Sequence, residues 1–221
     1  MSPKYICLDV GNVLCTVNDV GFVEFVSYKL NISTFKARRF LKRFQQLHDL
    51  GFTTMEDELM DVFDVKSQLI LKEIVQVWND SVVPHEPMLN ILNELRKTDN
   101  LQIALLSNIG VEHAALLADK LAIGGFYDST VKHLSCFVGA RKPQALYFQS
   151  FLIQYPQFAG ALYVDDLQTN LDGGAMLGLR PHKFNLAEGS ASQQIIDLYQ
   201  VIKTHHNSDI LYREPTIKDK I

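Results

Sequence analysis

In residues 5–13, YICLDVGNV, an apolar run ends at Asp9 and a glycine turn follows at Gly11. A short apolar run of this kind is typical of a strand that is buried on both faces of a sheet. Its end leaves a carboxylate at the carboxyl edge of that sheet, where open α/β sheets bind their ligands. The stretch therefore predicts the first strand of an α/β domain with a polar site at its end.

Two further apolar runs end in polar side chains in the same way. One is followed by Ser107 and Asn108, and the other by Asp165 and Asp166. Because the carboxyl ends of parallel strands meet at one edge of a sheet, we expect these side chains to lie close to Asp9. The three strand ends together predict one assembled polar site.

The remaining chain separates into a helical stretch and an alternating stretch. Apolar residues recur at helical spacing between residues 22 and 78, and Thr53 with Glu56 predicts a capping box for the third helix there. After that stretch, helical patterns alternate with predicted strands at 102–106, 129–133, 161–164 and 181–184. Strand–helix alternation predicts an α/β fold with a doubly wound parallel sheet and right-handed crossovers.

The helical stretch is too long to be a simple crossover. A crossover between parallel strands needs roughly a dozen residues, and the helical pattern just before the second strand already supplies one. Residues 15–84 are therefore predicted to be an inserted all-helical cap above the site, with extra core helices as the simpler alternative. The α/β core then comprises residues 1–14 and 85–205, and residues 206–221 form a C-terminal tail.

Composition narrows the class of protein. The 221 residues are 47% hydrophobic and 21% charged, which is typical of a folded globular chain. A net charge of −4 gives no electrostatic reason to expect binding to nucleic acid or to an anionic membrane. No apolar run approaches the roughly 20 residues of a membrane span. Three cysteines without close spacing suit a reducing compartment, so we expect a soluble, cytoplasmic protein.

Taken together, these residues resemble the haloacid dehalogenase-like (HAD-like) superfamily of hydrolases. Its four signature positions occur in order as Asp9-Val10-Gly11-Asn12-Val13, Ser107-Asn108, Lys142-Pro143, and Asp165-Asp166 followed by Asn170. The first motif is similar to that of the sugar-phosphate phosphatases and of the phosphatase domain of epoxide hydrolases. The resemblance covers residues 4–185 and implies a Rossmann-like core with a helical cap.

The resemblance also implies the chemistry and the residues that carry it. It implies an Mg²⁺-dependent phosphatase acting on a small phosphorylated metabolite, with Asp9 as the nucleophile that forms an aspartyl-phosphate. The implied metal group is Asp9, the carbonyl of Gly11, Asp166 and Asp165, with Asn170 orienting them. Ser107 and Asn108 would hold phosphoryl oxygens, and Lys142 would neutralise the negative charge. A phosphate monoester is a dianion, so an anionic attacker needs such positive charge beside it.

Each of these residues also has a simpler interpretation. Ser107 and Asn108 could cap a helix, Lys142 could be a solvated loop lysine, and the two aspartates at 165 and 166 could form a turn. Two other functions remain open from the sequence. One is a metal-free 2-haloacid dehalogenase, and the other is a HAD-fold binding or regulatory protein with reduced catalysis.

The sequence departs from many phosphatases of the superfamily at one position. Those enzymes carry a second aspartate two residues after the nucleophile, where it serves as general acid and base. The corresponding residue here is Gly11. Its backbone carbonyl remains as a ligand, but no side chain is present to protonate the leaving group, so we expect good leaving groups to be favoured.

Overall fold

A five-stranded parallel sheet lies at the centre of the protein, for which a computed structural model describes residues 3–205. The strands in chain order are β1 (Lys4–Leu8), β2 (Cys15–Val17), β3 (Val82–Pro84), β4 (Leu101–Ser107), β5 (Val131–Leu134), β6 (Leu162–Asp165) and β7 (Arg180–Lys183). The sheet has the order β5-β4-β1-β6-β7, while β2 and β3 form a separate antiparallel pair. The first strand of the chain is thus the middle strand of the sheet.

Helices cover both faces of this sheet. They are α1 (Asp19–Lys29), α2 (Thr34–His48), α3 (Met55–Phe63), α4 (Gln68–Asp80), α5 (Glu86–Thr98), α6 (Val111–Lys120), α7 (Ser135–Val138), α8 (Ala145–Gln154), α9 (Gln168–Ala175) and α10 (Ala191–Thr204). Ile6 and Leu8 of β1 pack with α5, α6 and α10, whereas Cys7 packs with α8 and α9 on the opposite face. Successive side chains of a strand point to opposite faces, so this arrangement confirms the predicted doubly wound sheet.

Helices α1 to α4 have a hydrophobic core of their own. Its buried side chains include Phe22, Val26, Phe40, Phe44, Leu59, Ile74 and Trp78. The chain enters this helical unit through β2 and leaves it through β3, and the pairing of Val17 with Val82 holds the two connections together. The helices thus lie in the segment predicted as a cap, immediately after the first strand. The exact domain boundaries stay a prediction.

Some local predictions differ from the structure. The capping box of α3 is not formed by Thr53 and Glu56 but by Thr54 and Asp57, one residue later. The pattern also gave no indication of α10, which packs Ile195 and Leu198 against the sheet. The predicted tail at 206–221 lies outside the described residues. Within residues 3–205, no helix combines the length and the apolarity that crossing a membrane requires.

Candidate active site

The sheet order brings the three predicted strand ends together. Strand β1 lies between β4 and β6, and Leu8 pairs with Leu105 on one side and with Val164 on the other. The backbone N–H of Asp9 donates to the carbonyl of Val164 at 2.9 Å, which carries the parallel pairing one residue past β1. Asp9 is therefore held in the middle of the sheet edge, between the ends of β4 and β6.

Lys142 is the centre of a buried ion-pair network. Its ammonium Nζ lies 3.0 Å from Oδ1 of Asp9 and 2.6 Å from Oδ2 of Asp165, and it donates to the carbonyl of Leu106 at 2.7 Å. The residue is only 2% exposed, which is incompatible with a solvated loop lysine. Burial disfavours its charge, but Asp165 and Asp9 outweigh this and raise the pKa of Lys142. Lys142 thus places a fixed positive charge beside Asp9.

Asp165 has all of its oxygens engaged within the protein. Its Oδ2 accepts from Lys142 and, at 2.6 Å, from the hydroxyl of Tyr163. Its Oδ1 accepts at 2.9 Å from the backbone N–H of Leu167 and at 2.9 Å from the side chain of Asn170. Although burial opposes the charged form, these partners, Lys142 first, lower the pKa of Asp165. The carboxylate therefore orients Lys142 and the start of α9 rather than facing a ligand.

Asp9 and Asp166 are less fully paired than Asp165. One oxygen of Asp9 contacts Lys142 and its own neighbouring N–H at Val10, and Oδ2 of Asp166 accepts from Asn12 at 3.0 Å. Burial, together with the charges of Asp165 and Asp166, raises the pKa of Asp9 to about 7, against the lowering effect of Lys142. Burial also raises the pKa of Asp166. Both groups are held where a negative charge is costly unless a cation is added.

The donor set of this site fits a divalent cation. Ligand oxygens of Asp9, Asp165 and Asp166 all lie within 4.8 Å of one another. Lys142 compensates only one of these three carboxylates, so two negative charges remain at the ionised cluster. Hard oxygen donors with a surplus of two negative charges suit Mg²⁺. Since Asp165 is saturated by hydrogen bonds, Asp9 and Asp166 are the side chains with oxygens left to offer.

Ser107 and Asn108 do not cap the following helix. The N-cap residue of α6 is Gly110, and it makes no side-chain cap hydrogen bond. Asn108 instead makes two hydrogen bonds to the backbone of Lys142. Its Nδ2 donates to the Lys142 carbonyl at 3.0 Å, and its Oδ1 accepts from the Lys142 N–H at 2.8 Å. Ser107, at the end of β4, is 3% exposed. These two hydrogen bonds explain how the chain positions Lys142 beside the end of β4, which is distant in sequence.

A cavity of about 170 Å³ lies between the helical cap and the loops that follow β1 and β4. Its lining from the core is Val10, Gly11, Asn108, Ile109, Gly110 and His113, and its lining from the capping segment is Val17, Gln45, His48, Asp49, Trp78 and Val82. The cavity therefore begins at the two loops that follow β1 and β4. It lies under the cap, as the position of the insert after the first strand predicts.

Helix α6 of the core makes several contacts with the cap beside this cavity. Oε2 of Glu112 lies 3.1 Å from Nε2 of His48 and accepts from the N–H of Met55 at 2.9 Å. Nε2 of His113 lies 3.1 Å from the carbonyl of Trp78, and the two rings stack with centroids 4.4 Å apart. Contacts to α2, α3 and α4 thus all originate from two neighbouring residues. The structure describes a closed arrangement of cap and core.

The end of α2 makes a second connection to the core. Oδ2 of Asp49 pairs with Arg141 at 2.9 Å, and the Asp49 carbonyl accepts from the hydroxyl of Ser135 at 2.5 Å. Burial raises the pKa of Asp49, although Arg141 and His48 oppose this effect. Arg141 directly precedes Lys142, so the cap contacts the same loop that supplies the buried ammonium.

No sequence pattern assigns a role to five residues that line the cleft or join cap and core, namely His48, Asp49, Trp78, Glu112 and His113. Their positions at helical spacing on apolar faces match those of ordinary core residues. The one available signal was their polarity: His48 and Asp49 are polar residues that end an otherwise apolar helix face.

Comparisons with known proteins support the fold. No family model and no curated protein matches the chain. Among solved structures, a HAD family enzyme from Bacteroides thetaiotaomicron superposes with a TM-score of 0.72 at 18% identity, covering 87% of this chain and 98% of that one. That enzyme has also been crystallised with magnesium and inorganic phosphate.

Two further structures extend the comparison. A HAD-like family hydrolase from Porphyromonas gingivalis has a TM-score of 0.72 at 16% identity, covering 92% of this chain and 98% of that one. A dehalogenase with an intermediate complex has a TM-score of 0.62 at 13% identity, covering 90% and 96%. The chain therefore has the HAD-like fold that the sequence resemblance implies, and structures with different chemistries share it.

Proposed function

We propose that the protein is an Mg²⁺-dependent phosphomonoester hydrolase of a small phosphorylated metabolite. The observation that carries this proposal is the cluster of Asp9, Asp165 and Asp166, in which the single ammonium of Lys142 pairs with Asp9 and Asp165. An attacking carboxylate with fixed positive charge beside it is what transfer of a dianionic phosphoryl group requires. The magnesium and phosphate bound by the Bacteroides enzyme of the same fold agree with this reading.

In this proposal Asp9 is the nucleophile. A carboxylate oxygen of Asp9 forms a bond to phosphorus, the bond from phosphorus to the ester oxygen breaks, and its electron pair leaves with that oxygen. Lys142 offsets the charge on Asp9 and on the phosphoryl group, and Asp165 keeps the ammonium in place through its 2.6 Å contact. Water then attacks phosphorus, which releases inorganic phosphate and restores Asp9.

The metal ligands are Asp9, the carbonyl of Gly11 and Asp166. Bound there, Mg²⁺ would neutralise phosphoryl oxygens and the carboxylates that Lys142 leaves uncompensated. Asn12 donates to Asp166 at 3.0 Å and so fixes the direction of that carboxylate. Asp165 and Asn170 support the site from behind. Ser107 holds a phosphoryl oxygen, and Asn108 acts by positioning Lys142.

Two observations bear on the competing functions. A dehalogenase shares the fold. In the metal-free dehalogenase alternative, Asp9 would attack carbon without a cation. The surplus of two negative charges around Asp9 argues against that function, because a cation-free site would leave them uncompensated. A binding protein with reduced catalysis is favoured by Gly11 alone, whereas the complete set of Asp9, Lys142 and Asp166 favours turnover.

The test is phosphate release from a panel of phosphorylated metabolites and p-nitrophenyl phosphate, measured with Mg²⁺ and with EDTA. We expect release only with Mg²⁺, and we expect Asp9→Asn to abolish it. Asp61→Asn is the matched control, because Asp61 is an exposed aspartate of α3. Release that persists in EDTA or in Asp9→Asn would contradict the proposal. Halide release from 2-haloacids instead would support the dehalogenase.

A further inference from the structure

The cavity under the cap limits which leaving groups a substrate can have. This inference rests on the proposed function. We infer that the cavity receives an uncharged leaving group of about one ring in size, and that it rejects a leaving group with a second anionic group. The size of the cavity and the charge of its lining lead to this conclusion separately.

Size limits the leaving group first. The cavity measures about 170 Å³, close to the roughly 150 Å³ of an engineered protein cavity that holds one benzene molecule. Its apolar lining comes from Val10, Val17, Val82, Ile109 and Trp78. A group of this size fills the space, whereas a nucleoside is too large for it with the cap in this arrangement.

The charge of the lining decides against a second anion. None of the residues that line the cavity is a lysine or an arginine. Lys142 is already shared between Asp9 and Asp165, and Arg141 is paired with Asp49. Burial lowers the pKa of His113 to about 4, so this ring is neutral near pH 7. The ring of His48 lies 3.1 Å from the carboxylate of Glu112. A carboxylate or second phosphate would lose its hydration here, and it would find no positive charge in the lining that is not already opposite a carboxylate.

Trp78 is a fixed part of the cavity wall. It is 3% exposed, and His113 stacks on its ring and donates to its carbonyl. The aromatic ring offers packing area to a neutral ring and no positive charge to an anion.

The experiment uses Trp78 as its own reporter, since it is the single tryptophan of the chain. Benzamide and benzoate have the same shape, but benzamide is neutral and benzoate is an anion. Each is titrated into the wild-type protein with Mg²⁺ while tryptophan fluorescence is followed. We expect saturable binding of benzamide, and benzoate at least about tenfold weaker. Equal binding, stronger binding of benzoate, or no binding of benzamide would overturn the inference.

A variant and a hydrolysis assay separate this inference from the proposed function. Asp49→Asn removes the partner of Arg141 and so leaves a cation beside the cavity, so we expect the benzamide preference to shrink several-fold, while Asp61→Asn leaves it unchanged. Hydrolysis of 4-carbamoylphenyl phosphate and 4-carboxyphenyl phosphate is then compared by kcat/KM. Asp9-dependent hydrolysis of both at equal rates refutes the leaving-group inference alone. Selective binding of benzamide without any hydrolysis refutes the phosphatase proposal alone.

Discussion

Replacement of Asp9 by asparagine should stabilise the metal-free protein, and the gain should grow with pH. Burial raises the pKa of Asp9 from 3.8 to about 7 in the folded state. The folded protein therefore binds a proton at Asp9 more tightly than the unfolded chain does. This contribution to the free energy of unfolding is complete below the pKa that Asp9 has in the unfolded chain, and it is lost as the pH rises through about 7.

The magnitude follows from the size of that shift. A pKa shift of one unit corresponds to about 1.4 kcal/mol, so a shift from 3.8 to about 7 corresponds to about 4 kcal/mol. Asparagine has a similar shape and no charge to lose. The difference in the free energy of unfolding between Asp9→Asn and wild type should thus rise by about 4 kcal/mol between about pH 4 and about pH 8.

Urea unfolding in EDTA, measured for both proteins across this pH range, tests the reasoning. Asp61→Asn serves as the control, and it should change stability by less than about 0.5 kcal/mol at every pH because Asp61 is exposed. A difference between Asp9→Asn and wild type that does not vary with pH would refute the assignment of Asp9 as a charge held at an energetic cost.

Three more outcomes are expected. Mg²⁺ should stabilise the wild-type protein more above pH 7 than below it, because the cation competes with the proton on Asp9; thermal unfolding that responds equally to Mg²⁺ at both pH values would contradict this. Lys142→Met should destabilise the protein by about 3–5 kcal/mol near pH 7, because it leaves Asp165 buried without its cation; a loss under about 1 kcal/mol in urea unfolding would refute the ion-pair network. Gly110→Ala should lower the free energy of unfolding by about 1–3 kcal/mol, because its Cβ would lie 2.1 Å from the buried ring of His48. The Cβ of Gly11→Ala would lie 3.5 Å from Val17, so this second substitution should be tolerated. Equal unfolding energies for the two glycine variants would show that the His48 ring is not held against Gly110.

Most of the fold was predictable because its signals are local. An apolar run that ends at Asp9, repeated before Ser107 and Asp165, reveals buried parallel strands and the edge where they meet. The insertion of a helical cap followed from the length of chain between the first two strands of the sheet. Helix α10 escaped prediction although its sequence is amphipathic, and the capping box of α3 was placed one residue early.

The central residues of the candidate site were also accessible to sequence reasoning, but their contacts were not. The signature positions located Asp9, Lys142 and Asp165. They did not reveal that Asp165 has every oxygen engaged, because its partner Tyr163 lies within the strand and looks like an ordinary core residue. The cleft residues His48 and Trp78 meet Gly110 and His113 only through tertiary packing, which no local pattern encodes.

Asp9 is tested most directly as the nucleophile by looking for a phosphoryl group on Asp9 itself. The protein is mixed with Mg²⁺ and a substrate from the panel, quenched rapidly in acid and digested, and the peptide that contains Asp9 is analysed by mass spectrometry. We expect a phosphorylated peptide that forms and decays with turnover. Turnover without modification of Asp9, or a phosphoryl group found on another residue, would contradict it.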